Sequence, residues 1–147
     1  MFLADTLGLD GVVILIDRES KRAPDRAQRL RDGRRRYRNA AGDSKVACAV
    51  GAACRSVETW LLADPVARRE VFGATAPDPF SGDPEDRPPP RILKQYIGDR
   101  ALGAHMDLKD AHEGLARAAR PSQLRRACVT SYPPFADDVA AEITPLC

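Results

Sequence analysis

Val12-Val13-Ile14-Leu15-Ile16-Asp17-Arg18-Glu19 is the stretch that decides the fold. Five apolar residues, four of them β-branched, follow one another without polar alternation. That is the pattern of a strand covered on both faces, as in parallel sheets. The run stops at Asp17. A second apolar run, Val46-Ala47-Cys48-Ala49-Val50, is closed by Gly51. Between them Pro24-Asp25 opens a basic helix over residues 24–38 with few apolar positions, chiefly Ala27 and Leu30. Strand, helix and strand of these lengths form a βαβ unit, which predicts two parallel, neighbouring strands. Val13, Ile14, Leu15, Cys48 and Val50 are then expected in the core, and Arg34, Arg35 and Arg36 on the surface.

Outward from this unit the chain reads helical. Residues 1–9 hold a fragment of amphipathic pattern in Phe2, Leu3, Leu7 and Leu9. Ser56 can cap a helix carrying Val57, Trp60 and Leu61, whose Trp60 and Leu61 are expected to pack on the sheet. Asp64-Pro65 restarts the chain as N-cap and first helical residue through Phe72. Residues 73–90 read as a Pro/Gly-rich linker ending in Pro88-Pro89-Pro90. Beyond it come a short helix with Ile92, Leu93, Tyr96 and Ile97, an Asp107-capped helix with Leu108, Ala111, Leu115 and Ala118, an interruption at Pro121, and two final helices. The expected architecture is α/β: one domain over 1–147, with an α/β core over 1–72, the linker, and a C-terminal helical cap over 91–147.

Composition narrows the class. The chain has 147 residues, 44% hydrophobic and 30% charged, with a net charge of +2. That is too apolar and too nearly neutral for a disordered protein. The aliphatic runs are too short to cross a membrane, the first ten residues lack the basic start of a signal peptide, and the four cysteines form no CxxC pair. A reduced, cytoplasmic protein is the simplest expectation. Residues 18–38 carry ten basic and three acidic side chains, a local +7, which leaves −5 on the remainder. Such a segment reads either as a polyanion-facing surface or as a solvated helix face.

Candidate chemistry gathers at the strand ends. Ligands of parallel sheets sit at the carboxyl ends of strands, where Asp17 is the first polar residue. Glu19 follows two residues later, and Glu58 lies just past the second strand, so it can converge on Asp17. Carboxylates so placed suit Mg²⁺, which takes one or two protein carboxylates and completes its shell with water and phosphate oxygens. The competing reading is that Asp17 caps the next segment and Glu58 complements a helix dipole. His105 and His112 stand too far apart along a helix to share a metal ion and read as surface residues. Cys48 and Cys54 read as small hydrophobes.

The segments VVILIDRE (12–19), VETWLLADP (57–65), GDPEDRPPPRILKQYIG (82–98) and ARPSQLRR (119–126) together resemble the domain of unknown function 4276 family, which is regarded as Toprim-like. The resemblance runs over roughly residues 9–130. It implies an α/β Toprim core, a divalent-metal site of Mg²⁺ or Mn²⁺ used on nucleic-acid phosphodiesters, and settings such as phage defence beside ATPases. On that reading Asp17 and Glu58 are catalytic, Asp17, Glu19 and Glu58 hold metal, and Arg34, Arg35, Arg36 and Arg38 bind nucleic acid. Asp17-Arg18-Glu19 stands where the family carries Asp-x-Asp, and the preceding strand with its Glu has no counterpart here. A truncated Toprim-like chain is therefore expected, with the strand at 12–16 bare along one side. The alternative is a non-catalytic module that binds nucleic acid or an ATPase partner.

Overall fold

The computed structural model describes residues 9–18, 24–40 and 46–146, with the side chains of 24 and 25 left aside. The amphipathic fragment at residues 1–8 and Glu19 lie outside the described residues. Strands β1 (Gly11–Asp17) and β2 (Ala47–Ala53) pair in parallel, in register from Gly11 opposite Ala47 to Asp17 opposite Ala53. Helix α1 (Pro24–Ala40) makes the crossover between them. The ladder is closed at its ends by Ala47 N–H to the Asp10 carbonyl and Arg18 N–H to the Ala53 carbonyl. Even-numbered residues of β1 therefore point their peptide groups at β2, and odd-numbered ones point them away. In β2 the even residues face outward.

Six further helices follow: α2 (Val57–Ala63), α3 (Pro65–Phe72), α4 (Pro90–Gly103), α5 (Leu108–Ala118), α6 (Pro121–Ala127) and α7 (Tyr132–Glu142), before a closing 3₁₀ turn at Thr144–Leu146. The chain is thus α/β, a small parallel sheet with helices. Among the described residues no helix is long and apolar enough to cross a membrane.

Apolar side chains bury in two clusters. Leu62, Leu93, Ile97, Ala101, Ala111 and Leu115 join α2, α4 and α5 away from the sheet, and Leu61 packs against this group. Ala53, Trp60, Ala63, Leu124 and Cys128 form the second, with Leu15 and Phe135 against it. Trp60 stacks on Phe135 and meets Tyr132 edge-on, each at 5.2 Å between ring centroids. Its Nε1 donates to Ser131 Oγ at 2.8 Å. So Trp60 reaches the sheet as expected, whereas Leu61 serves the helical cluster. Helix α7 comes so close to β2 that a Cβ on Gly51 would fall 2.4 Å from Phe135 Cδ2. A residue without a side chain is required there.

Two expectations about burial are corrected. Val13 is 47% exposed and Ile14 and Leu15 are only half-buried, because β1 has no strand on its other side among the described residues. Arg34 turns inward. Its Nη1 donates to the Cys48 carbonyl at 3.1 Å and pairs with Asp138 of α7, while Asp138 Oδ2 accepts Val50 N–H at 2.7 Å. A neighbouring parallel strand would make the same two bonds to Cys48 and Val50 with one residue's peptide group. The ion pair takes that strand's place and closes the outer edge of β2.

Asp64 locks the helices together. It is fully buried, caps α3 by accepting Val66 N–H and Ala67 N–H, and accepts three donors of Arg120: N, Nε and Nη2 at 3.0, 2.9 and 2.8 Å. Burial alone would push its carboxyl up. The Arg120 guanidinium and the backbone donors outweigh that and hold it well below the usual carboxylate range. A depressed carboxyl contributes stability above its unfolded value, and that stability is lost as pH falls through the native one. Asp64→Asn is therefore expected to lower stability at pH 7 by roughly 2–4 kcal/mol. Urea unfolding should show the gap narrowing below pH ~4. A gap independent of pH would contradict the assignment.

Candidate functional site

The carboxyl end of β1 delivers Asp17 to the start of α2. Asp17 Oδ1 accepts Val57 N–H at 2.9 Å. Ser56 occupies the N-cap position of α2 but makes no side-chain cap bond, and its buried Oγ has no hydrogen-bond partner. The helix is thus capped from another element, by a carboxylate 40 residues away in sequence. Glu58, the next residue after Val57, lies in the same first turn, so the two sequence-predicted carboxylates do reach one end of the sheet.

Glu58 looks toward the helices. Its Oε1 lies 3.9 Å from Lys94 Nζ of α4 and 4.0 Å from His112 Nε2 of α5. His112 Nδ1 donates to the Leu108 carbonyl, which only accepts, at 2.7 Å. His112 is half-buried in this cluster, whereas His105 is exposed. Glu58 Oε2 is buried and has no hydrogen-bond partner. Among the described residues no three His, Cys, Asp or Glu side chains converge as a metal site. What this end offers a hard cation is the orphaned Oε2 of Glu58, an oxygen donor of the type Mg²⁺ takes.

The basic helix has two faces. On the inner one Arg34 holds β2, Arg38 pairs with Glu142 of α7, and Tyr37 Oη accepts Val46 N–H at 3.1 Å. Arg34 and Arg38 are therefore structural, in contrast to the phosphate-binding role expected of them. The outer edge of β2 needs a donor at the Cys48 carbonyl, and the arginine run supplies it. Arg29, Arg31, Arg35 and Arg36 are exposed, and Arg35 meets Asp32 at 3.0 Å. Arg31 also borders a cavity of about 110 Å³ with Arg18, Ala52, Thr130 and Phe135, at the carboxyl ends of both strands. The outward set thus adjoins the end of the sheet that carries Asp17.

Residues 73–90 hold what sequence reasoning missed. Glu85 is completely buried. Its Oε2 accepts Thr130 N–H at 2.8 Å, and its Oε1 accepts Ser131 N–H at 2.9 Å and Ser131 Oγ–H at 2.5 Å. The segment is pinned to the start of α7 rather than spanning freely. A glutamate among prolines and aspartates gives no periodic signal that would mark it as buried. Burial, with the Glu85 and Asp83 charges, pushes the neighbouring Cys128 thiol up to about 12. Cys48 is raised by burial as well. Neither thiol is a nucleophile near neutral pH.

Compared with known proteins, the chain matches no family model, no curated protein and no solved structure.

Asp17→Ala removes the acceptor of Val57 N–H and is expected to cost about 0.5–2 kcal/mol in urea unfolding. The cost should be the same with and without Mg²⁺ if Asp17 acts as a cap alone. A Mg²⁺-dependent gain in wild-type stability that Asp17→Ala abolishes would instead assign this carboxylate to a cation.

Proposed function

We propose that this chain is a Toprim-like, cytoplasmic nucleic-acid-binding module that engages phosphates through the exposed arginines of α1. The observation that carries this reading is the sorting of the arginines. Asp138 and Glu142 neutralise Arg34 and Arg38, while Arg29, Arg31, Arg35 and Arg36 are exposed, with Asp32 paired to Arg35. Exposed guanidinium groups along one helix hold a phosphate backbone without reading base sequence. Buried Cys48, Cys54 and Cys128 form no disulfide, which is in keeping with a reducing compartment.

A second reading, metal-dependent phosphodiester chemistry, is favoured by the orphaned Glu58 Oε2 close to Asp17's end of the sheet. Asp17 and Glu58, with Glu19 beyond the described residues, would hold Mg²⁺ or Mn²⁺. A bound cation there would polarise a phosphodiester.

Fluorescence anisotropy with labelled single-stranded DNA, duplex DNA and RNA tests the first reading. Wild-type protein should bind at about 50 mM salt and weaken steeply toward 200 mM. The Arg29→Gln, Arg31→Gln, Arg35→Gln, Arg36→Gln combination should lose most of the affinity. On duplex DNA the salt slope should flatten by about 0.9 for each phosphate contact removed. Unfolding should shift little, since these side chains are exposed. Binding unchanged by the four substitutions would contradict the proposal. Cleavage that requires Mg²⁺ and is abolished by Glu58→Gln would establish the second reading.

A further inference from the structure

The two edges of the sheet are treated differently. The outer edge of β2 is closed by Arg34 and Asp138. The outer edge of β1 points the peptide groups of Gly11, Val13 and Leu15 away from the sheet, and no strand pairs with it among the described residues. Proteins usually blunt an exposed edge with charge, proline or a bulge. Here the exposed edge is an uninterrupted apolar strand with Val13 47% exposed.

Both faces beside β1 are also incompletely filled. On the α1 side a groove of about 310 Å³ runs over the sheet between Ile14 of β1, Cys48 and Val50 of β2, and Leu30, Gly33 and Arg34 of α1, and a Cβ on Gly33 would meet nothing within 4 Å. On the α7 side a groove of about 400 Å³ is bordered by Val13, Pro121, Tyr132 and Val139. An added strand sends alternate side chains to opposite faces, so one strand paired with β1 would place apolar side chains beside both grooves.

We propose that this strand is β1 of a second copy of the chain, joined antiparallel about a two-fold axis through Ile14. The strand is complementary to itself in that register. Odd residues, whose peptide groups point outward, form the hydrogen-bonded pairs: Val13 with Leu15 of the other copy, and at the ends Gly11 opposite Asp17, whose carbonyl also accepts Arg26 Nη1 at 3.3 Å. Ile14 meets its own counterpart, and Val12 meets Ile16. At the two ends Asp10 falls opposite Arg18 of the other copy, so opposite charges close both ends of the seam. The result is a four-stranded sheet, β2-β1-β1-β2, whose outer edges both carry the Arg34–Asp138 closure. Assembly therefore stops at the dimer, as isologous pairing requires. This proposal is independent of nucleic-acid binding.

Sedimentation velocity and light scattering on the full chain test it, with circular dichroism to follow folding. Wild-type protein should be dimeric at micromolar concentration. Val13→Lys, at a half-exposed position, should give a folded monomer. Asp10→Arg and Arg18→Asp should each weaken dimerisation by at least about tenfold, since each turns two attractive contacts into repulsive ones. The two together should restore it. A monomeric wild type at about 100 μM, a dimer unaffected by Val13→Lys, or a double reversal that fails to restore pairing would overturn the proposal.

Discussion

The pairing of Arg34 with Asp138 at the outer edge of β2 is the contact on which the rest of the molecule depends. Two parallel strands cannot satisfy their own outward peptide groups, and a buried unpaired peptide group costs about 1–3 kcal/mol. One side chain donates to the Cys48 carbonyl, and another accepts from Val50 N–H. The two come from helices 104 residues apart, so closing the edge also brings α7 to the sheet beside the crossover helix α1. Once α7 is there, Phe135 fills the space over Gly51, Trp60 stacks on Phe135, and Glu142 stands ready to meet Arg38. Glu85 then secures the turn that leads into α7.

The same contact divides the labour of the basic helix. An arginine run of this density is usually read as one surface, yet its inner members are spent on structure. What remains exposed is a smaller set than the charge count suggests, with Asp32 paired to Arg35 within it. Asp17 shows a similar economy. Its carboxylate organises the first turn of α2, and that turn holds Glu58 with one oxygen near Lys94 and His112 and the other without a partner.

Much of the fold was legible in the sequence where the signal is local. Continuous apolar runs marked both strands and their parallel pairing, and Asp64-Pro65 and Asp107 marked helix starts that the structure makes with side-chain bonds. Signals that depend on distant partners were not legible. A five-residue apolar run does not say which edge of a small sheet it will occupy, hence Val13. Nothing in Arg34-Arg35-Arg36 marks the first as the one that bonds β2. Glu85 sits in a stretch whose prolines and glycines spell a connection, and only the donors at Thr130 and Ser131 explain its burial. At the candidate site spacing offered Asp17 as a metal ligand or as the cap of the segment that follows it, whereas its bond to Val57 N–H caps α2, 40 residues on.

Amide hydrogen exchange followed residue by residue tests the central claim that side chains replace a strand at the edge of β2. The Val50 N–H should exchange as slowly as those of Ala49 and Gly51, which face β1. In Asp138→Ala the Val50 N–H should lose far more protection than its two neighbours. A Val50 N–H that exchanges freely in the wild-type protein, or one that loses no more protection than Ala49 and Gly51 when Asp138 is removed, would contradict the account.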